Sequence, residues 1–391
     1  VSATRAIAVV TVARSDYGHL LPVLGALRAA PDVRLLLFVA GAHLVPEHGL
    51  TVREIEADGW PIAATVDMLE PDDSPEAVAV ATGRGMQGFG RAYAKHRPDV
   101  VVVLGDRFEM LAAAAAALPF ALPIAHIHGG EVTEGAMDNQ IRHAISKLAH
   151  LHFVSAPLHA ERLARMDEET WRIHMVGAPG LDRLRAQPPL SRDELARRLG
   201  LPATRPWILV TFHPVTLEYG ETARHATELV AALEATPGVL VVTYPNADTA
   251  GRTIIGALEA FARRSARVRL QPSLGEVPYL SLLEHADLMV GNSSSGLIEA
   301  PTFGLPVVNI GNRQRGRLRG DNVIDVGHDR SEIQNGIAAA LTPGLRDRLR
   351  GAPNPYGDGG AAVRIADVLR RVPLDARLVQ KRSTFGREAV P

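Results

Sequence analysis

The chain contains no cysteine. Disulfides and thiolate metal sites are therefore excluded, and a reducing compartment is compatible with the sequence. It also lacks an excess of either charge, with a net charge of −1. Nothing draws it globally to nucleic acid or an anionic membrane, so any anion site must be built locally. Long hydrophobic runs are missing too. The longest, MLAAAAAALPFALPIA, falls short of the roughly 20 residues a membrane span needs and carries two prolines. The first apolar run, IAVVTV, is too short for a signal-peptide core. These absences predict a soluble cytoplasmic protein. No G-x-x-x-x-G-K-[ST] occurs, and no G-x-G-x-x-G follows a strand-like run, so P-loop and dinucleotide readings lose their usual support.

What is present is enough for two domains: 391 residues, 46% hydrophobic and 22% charged. Short Val/Ile/Leu-rich runs recur at 7–12, 33–41, 100–106, 124–130, 150–156 and 173–180. A second series follows at 207–214, 239–246, 268–274, 288–296, 306–311 and 322–327. Stretches suited to helices lie between most of them. Near-continuous apolar strands alternating with helices predict parallel sheets covered on both faces. The fold class is therefore α/β, with two Rossmann-like doubly wound domains, 1–186 and 187–371. The boundary falls near QPPLSRDE, where Ser191 and Glu194 predict a capping box. The segment 372–391 is expected to pack back on the first domain or to trail off at its tip.

In such sheets ligands sit beyond the carboxyl ends of the strands. Those ends are rich in polar groups, which predicts a polar cleft between the domains. GNSSSGLIEA (291–300) places Ser293, Ser294 and Ser295 where a helix begins, a setting that suits phosphate. Glu299, a turn further on, suits a ribose diol. The bland alternative is a serine N-cap followed by a first-turn acid. NIGNRQRGRLRG (309–320) carries Arg313 and three further arginines that could cover a diphosphate or merely face solvent. Arg14, in ARSDYG, could reach a phosphate or lie on the surface. Asp106, after the very apolar VVVVL, needs a partner or a task. The run IAHIHGGEVTEGAMDNQIRHAISKLAH is densest in candidates, with His128, Glu131 and Asp138. Its H-x-H alternation would put two imidazoles on one strand face. No second histidine cluster at ligand spacing supports a metal, so acid/base carboxylates are the favoured reading there. Asp138 could also be only an N-cap. His213, in VTFHP, ends another strand.

Taken together, ARSDYG, LGDRFE, HIHGGEVTEGAMDNQIRHAISKLAH, VTFHP, TYPNAD and GNSSSGLIEAPTFGLPVVNIGNRQRGR resemble the UDP-N-acetylglucosamine 2-epimerase family, in particular its hydrolysing branch. The resemblance spans nearly the whole chain. It implies a GT-B arrangement and UDP lost from a UDP-2-acetamido sugar as C2 inverts, giving N-acetylmannosamine or an analogue for sialic- or legionaminic-type acids. It implies that Ser293 and Ser294 hold the diphosphate, that Glu299 holds the ribose, and that Arg14, Arg107, Asn246 and Arg313 line the nucleotide site. Asp106, Asp138 and His213 match catalytic positions. Glu131 is the candidate for an acid where many relatives have H-x-E and this chain has His128. Where some relatives have two adjacent acids, this chain has Asp138 followed by Asn139. No cofactor or metal is implied, and relatives suggest a homodimer or tetramer. Three alternatives stand beside this reading. They are the non-hydrolysing epimerase, whose H-R-R-E-N is FHPVTLE here, a GT-B glycosyltransferase, and a non-enzymatic nucleotide-sugar binder.

Overall fold

The computed structural model describes residues 4–46, 49–70, 74–133, 137–186, 188–245 and 250–385. Its strands run in chain order as β1 (Arg5–Thr11), β2 (Val33–Ala40), β3 (Ile62–Val66), β4 (Val100–Leu104), β5 (Ile124–Ile127), β6 (Leu151–Val154), β7 (Ile173–Met175), β8 (Trp207–Thr211), β9 (Val239–Thr243), β10 (Val268–Gln271), β11 (Leu288–Gly291), β12 (Val307–Ile310) and β13 (Val323–Val326). Twelve of the thirteen answer to apolar runs in the sequence. The exception, β3, reads IAATV after a proline and lies at a sheet edge, where weak hydrophobicity suffices.

The strands form two parallel sheets, ordered β3-β2-β1-β4-β5-β6-β7 and β10-β9-β8-β11-β12-β13. In each, the order reverses beside the first strand of the unit, the signature of a doubly wound fold. The fold is thus the predicted α/β class, with two Rossmann-like units of the GT-B type. The central strands are apolar throughout because both faces are covered. Every residue of β4 and of β8 is buried, and each fully buried Val or Ile contributes roughly 1.5–3 kcal/mol.

Of the described residues, those within 1–131, 137–183 and 356–391 form one compact unit and those within 132–136 and 184–355 the other. The chain therefore rejoins the first unit at Tyr356, not after residue 371 as the sequence suggested. The helix Ala361–Arg371 explains the shift. Its stripe of Ala361, Ala362, Ile365, Ala366 and Leu369 shares one core with Leu20, Val23, Leu24 and Leu27 of the helix Arg14–Ala29. Asp182 accepts hydrogen bonds from the first two amides of that helix, at 2.9 and 2.7 Å. Beyond it, buried Arg172 donates to the main-chain oxygens of Arg377, Leu378 and Gln380. At the start of the second unit, Ser191 and Glu194 form the expected capping box.

One G-x-G-x-x-G does exist, at Gly83, Gly85 and Gly88, but it lies inside the helix Pro75–His96. A β-carbon at Gly85 would meet Met68, and one at Gly88 would meet Val66. Gly85 and Gly88 let this helix approach β3 and the residues just after it closely.

Candidate active site

In each unit the candidate residues flank the point where strand order reverses. In the first unit this lies between β1 and β4. Beyond β4, Gly105 turns the chain with φ of +78° and presents Asp106 before the helix Phe108–Ala117. Asp106 forms an ion pair with Arg142, whose side chain is only 3% exposed. Arg142 also donates from Nη1 to the main-chain oxygen of His128 at 3.0 Å and lies 3.8 Å from Glu131. No motif in the sequence marks it. The available signal was its place four residues after Asp138 on the helix Asp138–Leu148, which puts both on one face.

His126 and His128 do not share a strand face. β5 ends at Ile127, and His128 adopts a left-handed backbone with φ of +64°. His126 is structural: Nε2 bonds the Gly105 carbonyl at 2.7 Å and Nδ1 meets Ser146 Oγ at 3.1 Å. Burial pushes its pKa down to about 3. His128 instead bonds Glu131 through Nδ1 at 2.7 Å. Facing a carboxylate, Nδ1 carries the hydrogen, and Nε2 is left as the nitrogen that can exchange a proton.

Glu131 is buried and fully engaged. Besides His128 it accepts from Ser155 Oγ at 2.8 Å, and His159 lies 3.9 Å away. Burial alone would raise its pKa, but His128, Arg142 and His159 outweigh that and hold it well below the carboxylate range. Such a group stays ionised and is poorly set to donate a proton.

Asp138 is the first residue of its helix and follows the N-cap Met137, so it is not a cap. Its charge acts on Arg107. Burial works against the Arg107 cation, but Glu109 and Asp16 overcome this and raise its pKa. Glu109 lies 3.2 Å from Arg107 and is fully buried. Asp16 makes no cap; burial raises its pKa to about 7, opposed by Arg107. Arg14 is half exposed and lies 3.5 Å from Glu54.

In the second unit the reversal lies between β8 and β11. Gly291 ends β11 with φ of +141°, and a β-carbon there would overlap the Thr211 carbonyl. That close approach seats Asn292, buried at 1% exposure. Its side chain accepts from the His213 amide at 2.7 Å and donates to the His213 carbonyl at 2.9 Å. Its own carbonyl accepts from Arg313 at 3.3 Å and Gln314 at 2.8 Å. Asn292 thus gathers His213, the serine turn and Arg313, a role no pattern in the sequence announced. Burial and then Arg313 lower the His213 pKa to about 3, so its imidazole is neutral.

Ser294 is the N-cap of a helix only four residues long, Ser295–Ile298, so phosphate binding there would rest on amides and hydroxyls more than on a dipole. Ser293 Oγ accepts from the Ser295 amide at 3.4 Å. Glu299 closes this turn, and the half-buried Tyr279 phenol stands against Ser293, Ser295 and Glu299. Of the other arginines in the basic loop, Arg319 is held by Asp325 at 2.7 Å and by main-chain oxygens. Asn246 lies outside the described residues. Among the described residues, no helix is long and apolar enough to cross a membrane.

Comparison with known proteins gives the family and the fold. The profile of the UDP-N-acetylglucosamine 2-epimerase family matches residues 25–370. A UDP-N,N'-diacetylbacillosamine 2-epimerase (hydrolyzing) of Legionella pneumophila is 37% identical over 97% of this chain and 100% of its own. A GDP/UDP-N,N'-diacetylbacillosamine 2-epimerase (hydrolyzing) of Campylobacter jejuni is 36% identical over 82% of this chain and 84% of its own. A crystal structure of UDP-GlcNAc 2-epimerase from Neisseria meningitidis bound to UDP-GlcNAc shares the fold, with a TM-score of 0.80 at 17% identity over 93% of this chain and 99% of that one. The chain belongs to the UDP-N-acetylglucosamine 2-epimerase family.

Proposed function

We propose that this enzyme is a hydrolysing 2-epimerase that releases UDP from a UDP-linked 2-acetamido sugar and inverts C2. The observation that carries the reading is Asp106, held by the buried Arg142 at the reversal point of the first sheet. A carboxylate fixed in this way can abstract a proton without collapsing onto a neighbour. The names of the Legionella and Campylobacter relatives favour UDP-N,N'-diacetylbacillosamine as the substrate, ahead of UDP-N-acetylglucosamine. The product sugar is then a 2,4-diacetamido-trideoxy mannose-type sugar, in place of N-acetylmannosamine.

In the first step a base takes the C2 proton, the C1–O bond breaks, and the electron pair leaves with UDP. A C1–C2 double bond remains, a 2-acetamidoglucal. Water then adds its oxygen at C1, and a proton returns to C2 from the opposite face. Asp106 and Asp138 carry the two proton transfers, on opposite faces. Glu131 orients His128, whose Nε2 relays a proton or steadies the departing oxygen. Ser293, Ser294, Arg14, Arg107 and Arg313 stabilise the charge that develops on the diphosphate. Glu299 takes the ribose hydroxyls. His213, kept neutral, faces the leaving phosphate as a hydrogen-bond donor. Asn246, as part of TYPNAD, is assigned to the nucleotide.

The test is chromatography of UDP released from each of the two nucleotide sugars at equal concentration. Faster release from the diacetylbacillosamine compound is expected. Faster release from UDP-N-acetylglucosamine would move the assignment to the simpler sugar. A new UDP-sugar without free UDP would make the enzyme a non-hydrolysing epimerase.

A further inference from the structure

Three side chains that the reaction does not use converge at the carboxyl ends of β8, β12 and β13. Glu218 lies in the 3₁₀ segment Thr216–Glu221, His225 in the first turn of the helix Thr222–Glu234, and His328 just past β13. A ligating atom of each lies within 4.8 Å of the others. His225 is 3% exposed, and the His328 side chain is 12% exposed. Their rings stack with centroids 3.5 Å apart and planes 6° apart.

This stack is costly as it stands. Both His328 nitrogens are buried without a hydrogen-bond partner, and an unbonded buried polar group is unfavourable. A tetrahedral zinc about 2.0–2.1 Å from each nitrogen needs the two rings to swing out of this stack, and their ligating atoms already lie within 4.8 Å of one another. The surroundings hold the third ligand in place. Asn312 donates to Glu218 Oε1 at 2.5 Å, and Oε2 is turned toward His328 Nε2, 3.9 Å away. Such a bond to the outer oxygen orients a ligating carboxylate. Gly311, with φ of +72°, lies under the His328 ring, where a β-carbon would overlap the imidazole. The Arg224 guanidinium lies 3.4 Å from His225 Nε2. It is already paired with Glu221 at 2.9 Å and Asp329 at 3.4 Å. Three carboxylates against one guanidinium leave the rim attractive to a divalent cation. A cavity of about 550 Å³ opens beside the three ligands.

We propose that His225, His328 and Glu218 Oε2 form a binding site for a divalent transition cation of the zinc class, with water in the remaining position. Two imidazoles and one carboxylate are a donor set suited to such ions, not to calcium or magnesium.

The test is calorimetric titration of the metal-free full-length protein with zinc chloride, repeated with cobalt chloride under absorption spectroscopy. One equivalent per chain with micromolar or tighter affinity is expected, and cobalt should give visible bands of a low-coordinate site. E218Q and H328Q should each weaken zinc at least about tenfold. Glu218 is a third exposed, so E218Q keeps the test valid if H328Q fails to fold, as circular dichroism would show. The absence of saturable one-to-one binding would overturn the proposal. So would an isotherm unchanged in E218Q, because the metal would then sit on other histidines. Either failure leaves the epimerase reading untouched, because no turnover is measured.

Discussion

Arg142 reaches Asp106 with one guanidinium nitrogen and the His128 carbonyl with the other. One buried cation thereby joins the turn after β4 to the turn after β5. Replacing it with glutamine leaves Asp106 without its counter-charge. R142Q should lose about 3 kcal/mol of stability, read by denaturant unfolding, and at least about tenfold in kcat. The double variant R142Q/D106N should regain part of the stability and none of the turnover.

Asp106 itself should separate chemistry from binding. D106N preserves shape and removes the carboxylate proposed as the base. Turnover should be abolished, while the Kd for UDP, measured by calorimetry, stays within about twofold. Retained activity would remove Asp106 from the proton transfers.

Asn292 links the ends of β8 and β11 through both bonds to the His213 main chain. N292A removes both of these buried bonds, at a cost of about 1–3 kcal/mol. The serine turn and His213 should loosen together. UDP affinity should fall by about tenfold, with a smaller change in kcat once the enzyme is saturated.

The architecture was largely legible in the sequence, because fully buried parallel strands must be apolar along their whole length. Runs such as VVVVL and WILVT leave little choice. β3 escaped because an edge strand can be alanine-rich. The helix Ala361–Arg371 was placed in the wrong unit because a stripe of small apolar residues says that it packs, not on what. The strand ends were legible as polar groups, but their partners were not. Arg142 and Asn292 act through contacts 36 and 79 residues distant in sequence, and no local pattern encodes such pairs. The same holds for His225 and His328, which no ligand spacing connects. Glu131 looked like a reactive acid in sequence. The buried partners that engage it, His128, Ser155, His159 and Arg142, are not visible there.

Acid should unfold this protein through its histidines. His126 and His213 are lowered to about 3, and His43, His150 and His159 to about 4, in every case chiefly by burial. Below pH 6.5 the unfolded chain takes up protons that the folded chain refuses. Their contribution is therefore complete above pH 6.5 and is lost as pH falls toward 4 and 3. Asp16, raised to about 7, and Asp182, raised by burial, act with the opposite sign, but the five histidines outnumber them. The thermal midpoint should fall steadily from pH 7 to 4.5. H126Q should flatten the slope by up to about 1.4 kcal/mol per pH unit. A higher midpoint at pH 4.5 than at pH 7 would contradict this account.

The most direct measurement follows the enzyme with UDP-N,N'-diacetylbacillosamine in D₂O by proton and phosphorus NMR. The account predicts free UDP and a released mannose-configured sugar that carries deuterium at C2. Free UDP with protium retained at C2 would contradict it, because the C2–H bond would never have broken.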